Sequence, residues 1–185
     1  TWIVDPIDGT RGFASGNEGF GTLVALWHRG SAVAGWMHDP LSGRTWNAAD
    51  GALKLTSANG EVLGAPFDRS APVFAGAVQM HEDVPLPAYA ELLKELDRRG
   101  LAVRGHRSTY KSVVDLIEGR SDFCVLTRQA FWDMAAPMAC VRALGGVFRR
   151  VGGELRPALR DGPYVAARDV RVADIVGAAV AERLV

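Results

Sequence analysis

A β-branched and aromatic run, Thr1-Trp2-Ile3-Val4, leads straight into Asp5-Pro6-Ile7-Asp8-Gly9-Thr10. The run has the composition of a buried strand. Pro6 fixes its own φ and holds Asp5 extended, so the backbone is stiff where the acids leave the strand. The chain must therefore place two carboxylates at a strand end, with a carbonyl between them. A hard divalent cation such as magnesium, which takes oxygen ligands, suits that arrangement. The amides of Gly9 and Thr10 would then face the anion that the cation holds, and a helix starting there favours phosphate. The competing reading is a turn in which both acids merely bond backbone groups.

Downstream, the first half reads as an antiparallel meander. Strands are expected over residues 20–28 and 31–37 across an Arg29-Gly30 turn, then over 44–48, 53–56 and 61–63, the last pair joined through Asn59-Gly60. Trp27, Trp36 and Trp46 are read as sheet packing. The second half alternates apolar runs with helical periods. Strands are expected at 73–80, 101–104, 123–126, 147–148 and 164–166, and helices at 88–99, 108–119, 134–143 and 170–184. Pro137 predicts a kink or a late start in the third of these helices. The class is mixed α/β.

With 185 residues, 48% of them apolar and 23% charged, the chain has the profile of one globular domain able to bury a core. Lys+Arg and Asp+Glu balance at 21 each, so bulk charge points to neither a nucleic-acid nor a membrane partner. The longest apolar runs fall short of a membrane span. Cys124 and Cys140 sit in apolar segments without metal-ligand spacing, and are read as reduced core thiols of a cytoplasmic protein. His28, His38, His81 and His106 are scattered and read as surface or turn residues. Asp115 with Glu118, and Asp169 with Asp174, read as exposed helical charges.

The string Trp-Ile-Val-Asp-Pro-Ile-Asp-Gly-Thr resembles the first signature of the inositol monophosphatase family of metal-dependent phosphatases. Phe131-Trp132-Asp133-Met134-Ala135-Ala136, followed by Leu144-Gly145-Gly146, resembles its second. The two stand about 125 positions apart, counted from Asp8 to Asp133, in the family's order. The resemblance implies a layered α-β-α-β sandwich, with residues 1–185 forming one phosphatase domain. It covers about the last two thirds of the family's domain. The preceding part would hold two helices, a β-hairpin and a Glu-Glu pair that adds a metal ligand. The resemblance also implies a homodimer and sensitivity to lithium.

By the same resemblance, the chain hydrolyses a small phosphate ester with two or three Mg²⁺ ions, a pair of them roughly 3.5–4 Å apart. Asp5 bridges two ions, the Ile7 carbonyl completes one, and Asp8 and Asp133 bind the other. Thr10 bonds the attacking water, and Trp132 orients Asp133. Read without the family, Asp133 is an N-cap. Gly9, Thr10, Arg107, Ser108 and Thr109 join Asp8 and Asp133 as substrate contacts. Inositol monophosphatases proper carry Gly-Thr-Ala where this chain has Arg107-Ser108-Thr109. They also carry a glutamate seven residues before the Trp-Asp aspartate, where this chain has Leu126. Losing that carboxylate removes a hydroxyl contact, and Arg107 is either a contact for a second anionic group or a solvated surface residue at a helix start. The substrate class is an inositol, sugar or histidinol phosphate. The alternatives are a non-catalytic or inactive fragment of the same fold, and a 3′-nucleotidase-type bisphosphate phosphatase.

Overall fold

A computed structural model describes residues 1–63, 72–79, 81, 84–104, 108–154 and 161–185. The expected meander is present as β1 (Trp2–Asp8), β2 (Gly21–His28), β3 (Ser31–His38), β4 (Thr45–Ala49) and β5 (Ala52–Thr56), antiparallel neighbours in that order. Both tight hairpins have positive φ at their paired turn residues: 48° and 82° at Arg29 and Gly30, then 51° and 74° at Asp50 and Gly51. Such turns match the right-handed twist of the strands they join. Residues 61–63 contribute only an isolated bridge, Thr56 to Val62, rather than a sixth strand. Strand β1 runs on past Pro6, further than its β-branched run, with an irregularity between Asp5 and Asp8. It lies at the sheet edge, where a proline costs no ladder bond.

After the short helix α1 (Thr10–Ala14), the remaining elements build a second sheet. Its strands are β6 (Ala75–Gln79), β7 (Ala102–Val103), β8 (Phe123–Leu126), β9 (Val147–Arg150) and β10 (Tyr164–Ala167), in the order β7-β6-β8-β10-β9. Strand β6 runs parallel to β7 and β8, while β10 is antiparallel to β8 and β9. The helices are α2 (Leu86–Arg98), α3 (Thr109–Ile117), α4 (Phe131–Ala143) and α5 (Val170–Leu184). Helices α3 and α4 contact both sheets, and α2 and α5 pair on the far side of the second. The layers are thus sheet, helices, sheet, helices.

Strand β8 shows why both its faces must be apolar. Cys124 and Leu126 join the core under α3 and α4, while Phe123 and Val125 join the core under α2 and α5. Each large side chain fully buried in this way contributes about 1.5–3 kcal/mol. Helix α4 buries Met134, Ala135, Ala136 and Met138 almost completely. It lies so close to β3 that a Cβ on Gly35 would stand 2.8 Å from both the Ala136 carbonyl oxygen and the Ala139 methyl.

Three further expectations need correction. Helix α4 starts at Phe131, earlier than expected, and continues through Pro137. Pro137 has no N–H to give to the Asp133 carbonyl, but packing on both sheets outweighs that loss. Asp115 is not exposed: it is 7% accessible, held by Lys111 at 2.7 Å and Arg120 at 2.6 Å. Asp169 is the N-cap of α5, accepting from the Val172 N–H at 2.9 Å. The tryptophans pack as read: Trp46 is buried, Trp27 meets Phe131 edge-on and Trp36 meets Trp2. Both cysteines are free and buried.

Candidate active site

Strand β1 and helix α4 bring three carboxylates together. Asp5, Asp8 and Asp133 each offer an oxygen, and these oxygens all lie within 4.8 Å of one another. Asp5 and Asp8 are buried and Asp133 is partly so. Each acid is oriented by backbone. The Ile7 N–H donates to Asp5 Oδ1 at 3.0 Å, the Tyr110 N–H donates to Asp8 Oδ2, and the Ala130 N–H donates to Asp133 Oδ2 at 3.1 Å. Asp133 is therefore the third residue of α4, reaching back to Ala130 at the N-cap, rather than the cap itself. Trp132, expected to orient Asp133, is 41% exposed.

Crowding of this kind is unfavourable for bare charge. Burial pushes the Asp8 carboxyl up to about 7, the Tyr110 amide opposes the rise, and the Asp5 charge adds to it. Asp133 is raised as well, first by burial, then by the charge of Asp8 and a hydrogen bond to Asp5. Either a proton or a cation must relieve the cluster. The donors are all hard oxygens, with no nitrogen or sulfur among them, which fits magnesium or a similar ion.

The other expected residues surround this cluster. Thr10 opens α1 and its hydroxyl donates to the Ile7 carbonyl at 2.8 Å. Gly9 has φ 83°, and a Cβ there would lie 3.0 Å from the Ser108 Cβ. Ser108 caps α3, accepting from the Lys111 N–H at 3.1 Å and donating to the Gly19 carbonyl at 2.5 Å. Thr109 is fully buried, with its hydroxyl 3.0 Å from Gln79 Oε1 and 2.9 Å from Gln129 Oε1. Arg107 lies outside the described residues. Leu126 is buried in the core beneath α4.

Sequence reasoning missed a cleft of about 220 Å³ lined by Gln79, His81, Arg128, Gln129, Ala130, Trp132 and Asp133. It opens beyond the carboxyl ends of β6 and β8, parallel neighbours whose ends form the usual crevice for ligands in such sheets. The available signal was positional, since these residues directly follow two short buried strands.

The inositol monophosphatase family model matches residues 1–184. The chain belongs to that family. Its relatives include the probable inositol 1-monophosphatase ImpA of Mycobacterium tuberculosis, 29% identical over 95% of this chain and 68% of that protein. The fructose-1,6-bisphosphatase/inositol-1-monophosphatase of Thermotoga maritima is 28% identical over 83% of this chain and 57% of its own length. The histidinol-phosphatase of Streptomyces coelicolor is 29% identical over 90% and 64%. Among solved structures, an inositol monophosphatase from Zymomonas mobilis superposes with a TM-score of 0.78 at 27% identity, over 96% of this chain and 69% of that one. The chain thus spans between 57% and 69% of the length of these family members.

Proposed function

We propose that this chain carries the metal-holding and ester-binding part of a Mg²⁺-dependent phosphomonoesterase. Its substrate is a small phosphorylated metabolite of the inositol, sugar or histidinol phosphate class. The observation that carries the reading is the convergence of Asp5, Asp8 and Asp133 to within 4.8 Å. A buried trio of carboxylates has little structural use unless a cation joins it. Relatives named for inositol, fructose-bisphosphate and histidinol phosphate chemistry support the substrate class.

Asp5, the Ile7 carbonyl, Asp8 and Asp133 are the groups that would hold the ions. Bound there, divalent magnesium supplies neutralising charge for the phosphoryl group and a more acidic water. Hydrolysis forms a bond from the water oxygen to phosphorus and breaks the bond from phosphorus to the alcohol oxygen. The Thr10 hydroxyl donates a hydrogen bond to the Ile7 carbonyl oxygen, so its lone pairs remain to accept one from that water and align it. The amides of Gly9 and Thr10, with Ser108 nearby, face the phosphoryl oxygens. Residues 1–185 act as one domain, tied together by α4 between the sheets. The two reduced, buried thiols support a cytoplasmic setting, and a homodimer is part of the same proposal.

Phosphate release from a panel of esters, measured with Mg²⁺ and with a chelator, tests this. Release that needs the cation supports the reading. A protein that releases no phosphate from any ester, while binding Mg²⁺, is a non-catalytic relative.

A further inference from the structure

We infer that the hydrogen bond between Thr109 and Gln129 sets the spacing of Asp8 and Asp133, which makes Gln129 a positioning residue for the cation those acids would share. The inference rests on the cation site of the phosphatase reading above. Asp8 and Asp133 each receive a backbone N–H, the first from Tyr110 and the second from Ala130. The residues just before these two donors are Thr109 and Gln129. Their side chains meet: the Thr109 hydroxyl lies 2.9 Å from Gln129 Oε1. The peptide groups that hold the two acids are therefore tied together from behind by one side-chain bond.

Both ends of this brace are anchored. Gln129 exchanges two backbone hydrogen bonds with Asp161, at 2.8 and 2.9 Å. Asp161 is held in turn by Arg150 and by the Tyr164 hydroxyl, each at 2.9 Å. The Gln129–Ala130 peptide thus has its carbonyl fixed to Asp161 and its N–H turned to Asp133. Thr109 stands behind the N-cap Ser108, which is tied to the Gly19 carbonyl at 2.5 Å. Thr109 is fully buried and Gln129 is 4% accessible, so water does not compete for the bond between them. The Thr109 hydroxyl also lies 3.0 Å from Gln79 Oε1. One hydroxyl proton cannot serve two acceptor oxygens, so one of these amides turns its NH₂ toward Thr109. A role in stability alone would engage both glutamines alike. They differ in what they lead to: Gln129 precedes the amide that orients Asp133, whereas Gln79 ends β6. Magnesium demands near-ideal ligand geometry and calcium accepts a looser one, so acids whose spacing has slackened discriminate less well between the two.

The test is calorimetric titration of Mg²⁺ and of Ca²⁺ into wild type, Gln129→Met and Gln79→Met, with melting temperatures in chelator. Methionine removes the amide at similar side-chain length, and Thr109 keeps one glutamine partner in either variant. Gln129→Met should bind Mg²⁺ about tenfold or more weakly, the loss expected when a ligand's supporting bonds are removed. Its Ca²⁺ affinity should fall less. Gln79→Met should melt lower than wild type and keep the wild-type Mg²⁺ affinity. Adding Thr109→Val to Gln129→Met should weaken Mg²⁺ binding no further, because both changes break the same bond. If Gln129→Met does not fold, Thr109→Ser and Thr109→Val decide: serine, which keeps the hydroxyl, should bind Mg²⁺ more tightly than valine, and equal binding overturns the inference. Wild-type Mg²⁺ affinity in Gln129→Met, or equal losses in the two glutamine variants, overturns it and leaves the cation site standing. A wild type that binds neither ion overturns the cation site and the inference together.

Discussion

The backbone N–H of Tyr110 donates to the carboxylate of Asp8 across 102 residues of sequence. That bond fastens the first turn of α3 to the end of β1. Asp8 thus meets an amide at a helix N-terminus, where negative charge is favoured. It also explains why Ser108 and Thr109 pack tightly: they are the turn that delivers the amide.

Asp8→Asn tests the role of charge without removing that bond, because the asparagine oxygen still accepts from Tyr110. With chelator at neutral pH the variant should melt no lower than wild type, because the asparagine removes a buried charge. Phosphate release should fall roughly a thousandfold, the loss expected from several kcal/mol of missing charge stabilisation. Wild-type turnover in a steady-state assay of this variant would remove Asp8 from the site.

Thr10→Val and Thr10→Ser separate shape from hydroxyl chemistry. Valine keeps the volume but loses the bond to the Ile7 carbonyl and the acceptor for water. It should lower kcat by roughly 10²–10⁴-fold, the range for a positioned proton partner. Serine, which keeps the oxygen, should retain most of the activity. Equal kcat values for the two variants would dismiss the hydroxyl.

The cluster should give the cation-free protein an unusual pH dependence. Asp8 titrates near 7 in the fold against an ordinary 3.8. Between those values the native state holds a proton that the unfolded chain has released. Stability therefore falls as pH rises from about 4 to 7, by at most about 4 kcal/mol at about 1.4 kcal/mol per unit. Above pH 7 this contribution is flat. Added Mg²⁺ should restore the lost stability most at the upper end, because the ion replaces the proton. Melting temperatures across pH 4.5–8, with chelator and with Mg²⁺, report both effects. A profile in chelator that rises through this window would contradict the cause assigned to the shift.

Gly35→Ala probes the seat of α4. The new methyl would stand 2.8 Å from the Ala136 carbonyl oxygen and from the Ala139 methyl, so β3 and α4 must move apart. The cost should be about 2 kcal/mol, or roughly 4–8 °C in Tm for a chain of this size. Because α4 carries Asp133, cation affinity should weaken as well. An unchanged Tm would show that the contact yields easily.

Local pattern carried much of this architecture. The hairpin at Arg29-Gly30 and helix α5 at Val170–Leu184 follow from turn chemistry and helical period, which act over a few residues. What pattern could not show depends on distant partners. The start of α4 was misplaced because the helix is stabilised by two sheets, so Pro137 did not act as it would in an isolated helix. Asp115 was misjudged because its burial comes with Lys111 and Arg120, whose approach no periodicity predicts. The three acids were readable as candidates from two short strings. The cleft beside them was not, because it arises from the parallel pairing of β6 with β8, whose residues are far apart in sequence.

The most direct measurement is calorimetric titration of divalent cation into wild type and Asp133→Asn. Asp133 lies 125 positions beyond Asp8 and shares a cation with it only if the fold joins them as described. Wild type should bind Mg²⁺ or Mn²⁺, and the variant should bind at least about tenfold more weakly while melting as a folded protein. Equal affinity in the two proteins, or no binding by either, would contradict a shared cation site.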